Sequence, residues 1–125
     1  MGVPRESVRL VRHPRGPLML GNSTGADWTL RMQALSRERV KTLTAGGLSG
    51  YILKSRSPSC GMDGVKLYAT ADVNAAVDEV GVGLFAAELA RQLPNLPIEE
   101  DERLHDPDAR RRFIERVFAY HSLIH

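Results

Sequence analysis

Polar and apolar residues alternate almost strictly over residues 7–12, Ser-Val-Arg-Leu-Val-Arg, the period-two pattern of a half-buried strand. His13-Pro-Arg-Gly-Pro17 then predicts a turn, and Pro17-Leu-Met-Leu20 a returning strand with its proline at the start, where no ladder bond is lost. From residue 27 the period lengthens. Met32, Leu35, Val40 and Leu43 recur at near-helical spacing, with Arg31, Arg37, Glu38, Arg39 and Lys41 on the other side. Asp27 is a good N-cap for that helix, and Gly46-Gly47 ends it. Gly50-Tyr-Ile-Leu-Lys-Ser55 is a short apolar run, read as a buried strand at the centre of a sheet. Residues 56–65, with Pro58, Gly61 and Gly64, read as a loop, and Leu67-Tyr68 as a short extended piece.

Gly81-Val-Gly83 precedes an alanine-rich helix over about residues 84–93, in which Phe85, Leu89 and Leu93 share a face. Residues 94–98 lead into another short strand, and Glu99-Glu-Asp-Glu102 reads as a solvated acidic run. Asp106-Pro107-Asp108 is a strong helix start: an N-cap, a proline at the first helical position, and an acid that suits the helix dipole. Phe113, Val117, Tyr120 and Ile124 form one stripe of that helix, widened by Ile114 and Phe118. The stripe is still apolar at its end and has no capping glycine, which predicts that the natural chain continues.

Strand, helix, strand is the α/β pattern. The expected fold is a small, mainly parallel sheet with flanking helices, a Rossmann-like three-layer sandwich. The loop after Ser55 then sits where open parallel sheets bind ligands, beyond the carboxyl end of a strand.

The chain has 125 residues, one domain's worth, and its 42% hydrophobic and 26% charged residues suit an ordinary folded protein. The net charge is +2 and the sequence pI about 9.0, too mild a balance to predict a specific nucleic-acid partner. Arg110-Arg-Arg112 is the tightest basic run, but Asp106, Asp108 and Glu115 surround it, as on a solvated helix face. There is one cysteine, so a disulfide within the chain is excluded. No stretch approaches a membrane span and no apolar leader-like segment opens the chain, so the expected compartment is the cytoplasm, with no membrane partner.

Candidate chemistry concentrates in Lys54-Ser-Arg-Ser-Pro-Ser-Cys-Gly61. Gly61 lets the backbone bend sharply beside Cys60. Ser57 and Ser59 add hydroxyls and amides, Lys54 and Arg56 favour a thiolate, and Pro58 stiffens the loop. Such a loop can hold an anion, act as a nucleophile or ligate a metal; the competing reading is a small buried cysteine in a turn.

This loop, in the setting Gly50-Tyr-Ile-Leu-Lys-Ser-Arg-Ser-Pro-Ser-Cys-Gly-Met62, resembles the signature of a bacterial family that includes the 2-thiouracil desulfurases. The resemblance continues through Val65-Lys-Leu-Tyr68, Gly81-Val-Gly-Leu-Phe-Ala-Ala87 and Leu96-Pro-Ile-Glu-Glu100. It begins at Gly2-Val-Pro-Arg-Glu-Ser-Val-Arg-Leu-Val11, similar to the segment after the family's Cys-Pro-Glu motif, and Asp27, Thr29 and Met32 fit its Asp-x-Thr-x-x-Met helix start. It implies a partial desulfurase-like domain over residues 1–103, missing its N-terminal strand or strands. Residues 104–125 resemble a junction toward a second helical domain. It also implies an iron–sulfur (4Fe-4S) cluster held by three cysteines, with an open iron for the substrate's sulfur. Only the third cysteine maps here, onto Cys60, so the cluster is expected in a full-length protein and not in this chain. A gene start placed at an internal methionine, a degenerate gene or a fragment would each explain the shortfall. The first is favoured, because Met1 stands where the family often continues uninterrupted.

On this resemblance the expected function is removal of sulfur from a thiolated small molecule, such as a thio-nucleobase. Cys60 is the metal ligand, and Ser57 and Ser59 are the candidate catalytic residues. Arg5, Glu6, Lys54, Arg56 and Gly61 are candidates for binding substrate. The alternative is a non-catalytic binding module that keeps the fold without the cluster. Homo-oligomerisation is expected through an open sheet edge and the last helix. His121 and His125 are spaced as a helical metal pair but have no third ligand, so a surface pair is the favoured reading. Gly81-Val-Gly83 is either a weak phosphate-loop signal or a site of close packing, and Trp28 is expected to pack.

Overall fold

A computed structural model describes residues 6–72 and 74–124. The alternating segment forms β1 (Val8–Val11), and it pairs antiparallel with β2 (Leu18–Gly21) as the predicted hairpin. The register sets Leu10 against Met19, both fully buried. The connection turns at Gly16, whose φ of +109° glycine adopts freely, and its N–H closes on the His13 carbonyl at 3.0 Å.

The hairpin leads into α1 (Thr29–Ala45). By backbone geometry the N-cap is Trp28, one residue later than expected. Asp27 still performs the capping chemistry: its Oδ1 accepts from the Thr29 N–H at 2.9 Å and from the Thr29 hydroxyl at 2.5 Å. The Thr29 Oγ1 in turn accepts from the Met19 N–H at 2.8 Å, which ties the helix start to β2. At the other end Gly47 takes φ +77° as α1 stops.

The expected single, mainly parallel sheet is corrected by the strand pairings. One sheet has the order β2-β1-β4-β5, where β4 is Val65–Tyr68 and β5 is Val77–Gly81. It is mixed: β1 and β4 run parallel, while β1–β2 and β4–β5 are antiparallel. The connections give the reason, because neither hairpin linker is long enough for the crossover that parallel neighbours need. The segment read as a central strand is β3 (Tyr51–Leu53), which pairs in parallel with β6 (Ile98–Glu100) in a separate two-stranded sheet. Among the described residues β3 has that one strand partner, although Leu53 is 1% exposed.

The helices α1 and α2 (Leu84–Gln92) pack against each other and join the two sheets. Leu10, Met19, Met32, Val65 and Leu84 form a core under the four-stranded sheet. Val40, Leu53, Phe85, Ala86, Leu89 and Leu96 form a second core under β3 and β6. A short 3-10 turn, Glu102–His105, leads into α3 (Pro107–Ile124). The stripe of α3 is divided. Phe113 is buried, and a Cβ on Gly50 would lie 2.7 Å from Val117 Cγ2 and 3.5 Å from Phe113 Cζ. Gly50 thus admits the helix onto the entry of β3. Ile114, Phe118 and Leu123 remain exposed, the last two at 69% and 84%. Among the described residues no helix is long and apolar enough to cross a membrane.

Phe113 is therefore expected to bear much of the docking of α3. Phe113→Ala should lower unfolding stability by about 3–5 kcal/mol, measured by urea denaturation. A change below about 0.5 kcal/mol, the range of an exposed site, would show that α3 contributes nothing to this core.

Candidate functional site

The cysteine loop is fixed by hydrogen bonds from two directions. The first is the acidic run at the end of β6. Asp101 donates its N–H to the Leu53 carbonyl at 2.9 Å, and its Oδ1 accepts from the Ser55 N–H at 2.9 Å and the Ser55 hydroxyl at 2.8 Å. Glu100 accepts from the Met62 N–H at 2.9 Å. Glu102 grips the Arg56 guanidinium through both carboxylate oxygens, at 3.0 and 2.5 Å, while Arg56 takes a left-handed φ of +59°. The expectation of a solvated run holds for the exposed Asp101 and Glu102 and is corrected for the other two. Glu100 is 5% exposed, and half-buried Glu99 pairs with Arg103 at 3.2 Å. These carboxylates tolerate burial because donors meet them.

The second direction is the N-terminus of α2, where helical N–H groups lack partners within their own helix. The Pro58 carbonyl accepts from Leu84 N–H at 3.1 Å, and the Ser59 carbonyl from Phe85 and Ala86 N–H at 2.7 and 3.0 Å. Gly83 donates to the Gly61 carbonyl at 2.8 Å. A Cβ on Gly83 would run into the Ser59 carbonyl and lie 2.6 Å from the Cys60 nitrogen. A Cβ on Gly81 would lie 2.8 Å from the Val65 carbonyl oxygen. Close packing thus accounts for both glycines, and the donors a phosphate loop would need are already taken.

Within the loop, Ser57 Oγ accepts from the Ser59 and Cys60 N–H groups, each at 3.2 Å, and lies 3.1 Å from Ser59 Oγ. Ser59 Oγ stands 3.6 Å from Cys60 Sγ. The Gly61 N–H closes the turn on the Ser57 carbonyl at 2.8 Å, and a Cβ on Gly61 would meet Val65 and the Arg56 backbone. Cys60 is a free, half-buried thiol that packs against the second core. The loop therefore brings Ser57, Ser59, Cys60 and Gly61 together.

The other sequence candidates lie apart. Arg56 turns to Glu102, which pushes its pKa up, and Lys54 is exposed. Arg5 and His125 lie outside the described residues. Glu6 serves the loop before α1: its carboxylate accepts from the Thr24 hydroxyl at 2.6 Å, from the Ser23 and Thr24 N–H groups, and from Trp28 Nε1. The Thr24 hydroxyl is the main reason that its pKa is lowered. Trp28 is half-buried against the first core. His121 Nδ1 lies 3.0 Å from Ser49 Oγ. Among the described residues no three His, Cys, Asp or Glu side chains converge as a metal site. Sequence reasoning missed Glu100, Asp101 and Glu102 as supports of the loop. The available signal was their place at the carboxyl end of a strand preceding a donor-rich loop in space.

A family model described as 2-thiouracil desulfurase matches residues 1–101. Among solved structures, a 4Fe-4S-dependent thiouracil desulfidase, TudS, matches with a TM-score of 0.59 at 23% identity, a likeness of fold. The match covers 83% of this chain and 62% of that one, so this chain spans less than two thirds of the TudS chain. The curated proteins contain no match.

Gly83→Ala should lower stability by about 1–3 kcal/mol, the cost of overpacking, and should speed thiol labelling of Cys60. Unchanged stability and labelling would contradict the close approach of loop and helix. The pH dependence follows from Asp101, whose pKa is held low first by the Ser55 N–H and then by the Ser55 hydroxyl. A carboxylate with a depressed folded pKa contributes stability that is present above its unfolded pKa and lost as pH falls through the folded one. The difference in Tm between the parent and Asp101→Ala should be constant near neutrality and shrink below about pH 4. A difference that grows on acidification would contradict this role.

Proposed function

We propose that this chain, which belongs to the 2-thiouracil desulfurase family, contributes Cys60 and its loop to an iron–sulfur enzyme that removes sulfur from a thiolated small molecule such as a thio-nucleobase. The observation that carries the proposal is the family match over residues 1–101 together with a cysteine held half-open between two serine hydroxyls and a helix terminus. The cluster itself does not fit this chain alone. Proteins hold such clusters with several thiolates, the chain has one cysteine, and no ligand group converges among the described residues. The remaining thiolates are assigned to residues outside these 125.

The chain's own groups have definable tasks. Ser59, beside the sulfur, and Ser57, which orients Ser59, are the residues that would position a substrate and handle its protons. Lys54 is exposed and forms no ion pair among the described residues, so it is the cation of this loop proposed to face negative charge, with Arg56 committed to Glu102 as a support. Gly61 is buried with Val65 and the Arg56 backbone against it, so its contribution to a substrate site is to keep the turn tight. Arg5 and Glu6 remain candidates, with Glu6 acting through the loop before α1. The helix α3 is proposed to lead toward further helical structure, and its exposed Ile114, Phe118 and Leu123 suit burial there or in a homo-oligomer. The alternative is a binding module that keeps the fold without the cluster.

One experiment separates the two. The cysteine-bearing N-terminal segments of a family member are fused to this chain, and the protein is reconstituted anaerobically with iron and sulfide. The desulfurase reading expects a bound cluster and sulfide release from 2-thiouracil, both lost in Cys60→Ser. A fusion that folds but binds no iron would reject it in favour of the binding module.

A further inference from the structure

The face of the four-stranded sheet turned away from the helices carries a separate cavity with several charged groups on its wall. Leu10 and Val65 face the helical core, so Arg9, Lys66 and Tyr68 lie on the opposite face by strand alternation. Together with Asn22, Glu79, the Arg56–Pro58 turn and the apolar Val8 and Val65, they line a cavity of about 270 Å³.

Arg9 is the unusual member. It is half-buried, yet among the described residues its hydrogen bonds reach only neutral oxygens: Nη1 donates to Asn22 Oδ1 at 2.8 Å, and Nη2 to the Ala71 carbonyl at 2.6 Å. The guanidinium lies 5.7 Å from the centre of the Tyr68 ring, and its Nε is buried without a partner. Among the described residues no carboxylate forms an ion pair with it. The neighbouring cations differ. Arg56 is neutralised by Glu102, and Arg12 on the same strand pairs with Asp78 at 3.2 Å. Among the described residues Glu79 is the one carboxylate on the cavity wall, and its charge acts on Arg56. A half-buried cation with one unmet donor and no carboxylate beside it is better satisfied when an anion reaches it. The hydrogen bonds to Asn22 and Ala71 hold the guanidinium in place beforehand, which lowers the cost of receiving one.

We propose that this cavity is a site for a small oxyanion, a phosphate or a carboxylate group, with Arg9 as its principal cation and Lys66 as a second. The site stands on the setting of Arg9 and does not depend on the desulfurase reading. Because it shares Arg56 and Pro58 with the cysteine loop, an anion there would also steady that loop from behind.

Isothermal titration of the whole chain tests this, with inorganic phosphate and with acetate at constant ionic strength. Both are expected to bind saturably, phosphate more tightly because two cations face it. Arg9→Gln should weaken phosphate binding by about tenfold or more, the size of a lost charged hydrogen bond. Lys66→Gln should weaken it by a smaller factor, and Arg12→Gln should leave it unchanged. Circular dichroism checks that each variant folds. If Arg9→Gln does not fold, Arg9→Lys and Lys66→Gln decide the matter. Absence of saturable binding of either anion, or phosphate binding undiminished in the folded Arg9 and Lys66 variants, would overturn the site.

Discussion

The rest of the structure depends on how the turn between β3 and β4 satisfies its backbone. A loop that leaves a buried strand and runs under a helix terminus carries polar groups that cannot all reach water. Here the carbonyls of Pro58 and Ser59 meet the free N–H groups of α2, while the N–H groups of Ser55 and Met62 meet Asp101 and Glu100. Each need answers another. The helix start lacks acceptors, the loop supplies them, and the acidic end of β6 takes up the loop's own donors. Glycine at position 83 is the steric condition for that exchange, since a side chain would occupy the space of the Ser59 carbonyl.

This arrangement holds the cysteine in a defined place through the protein's own groups. Cys60 has its N–H on Ser57 and its sulfur beside Ser59, with the second core beneath. The sulfur is neither sealed in the core nor free to wander, which suits a ligand completed by groups from elsewhere. The same loop borders the Arg9 cavity on the far face of the sheet. Two chemically different surfaces, a soft thiol and a hard cation, are therefore joined by one rigid turn.

Much of this was legible in the sequence. The hairpin, α1 to within a residue at its start, α2 and α3 follow from period, caps and turn residues, because those signals are local. The loop's signature also stood out as residues, and the family followed from it. What escaped has a physical reason. The strand β5 is Val-Asp-Glu-Val-Gly, exposed over its first four positions, so it shows no buried alternation. The sheet's mixed order depends on long-range pairing that no local pattern encodes. The acidic run looked solvated because its donors, Ser55, Arg56 and Met62, lie about forty residues earlier in the chain. Arg9 looked like an ordinary polar strand position until its hydrogen-bond acceptors proved to be neutral.

The central claim is that residues 55–62 and the start of α2 form one hydrogen-bonded unit. Native-state hydrogen exchange on the whole chain measures it most directly, since amides that open together exchange with a common free energy. The account predicts that the N–H groups of Ser55, Met62, Phe85 and Ala86 are protected as strongly as those of the adjoining core. Rapid, loop-like exchange at Ser55 and Met62 beside a protected α2 would contradict it.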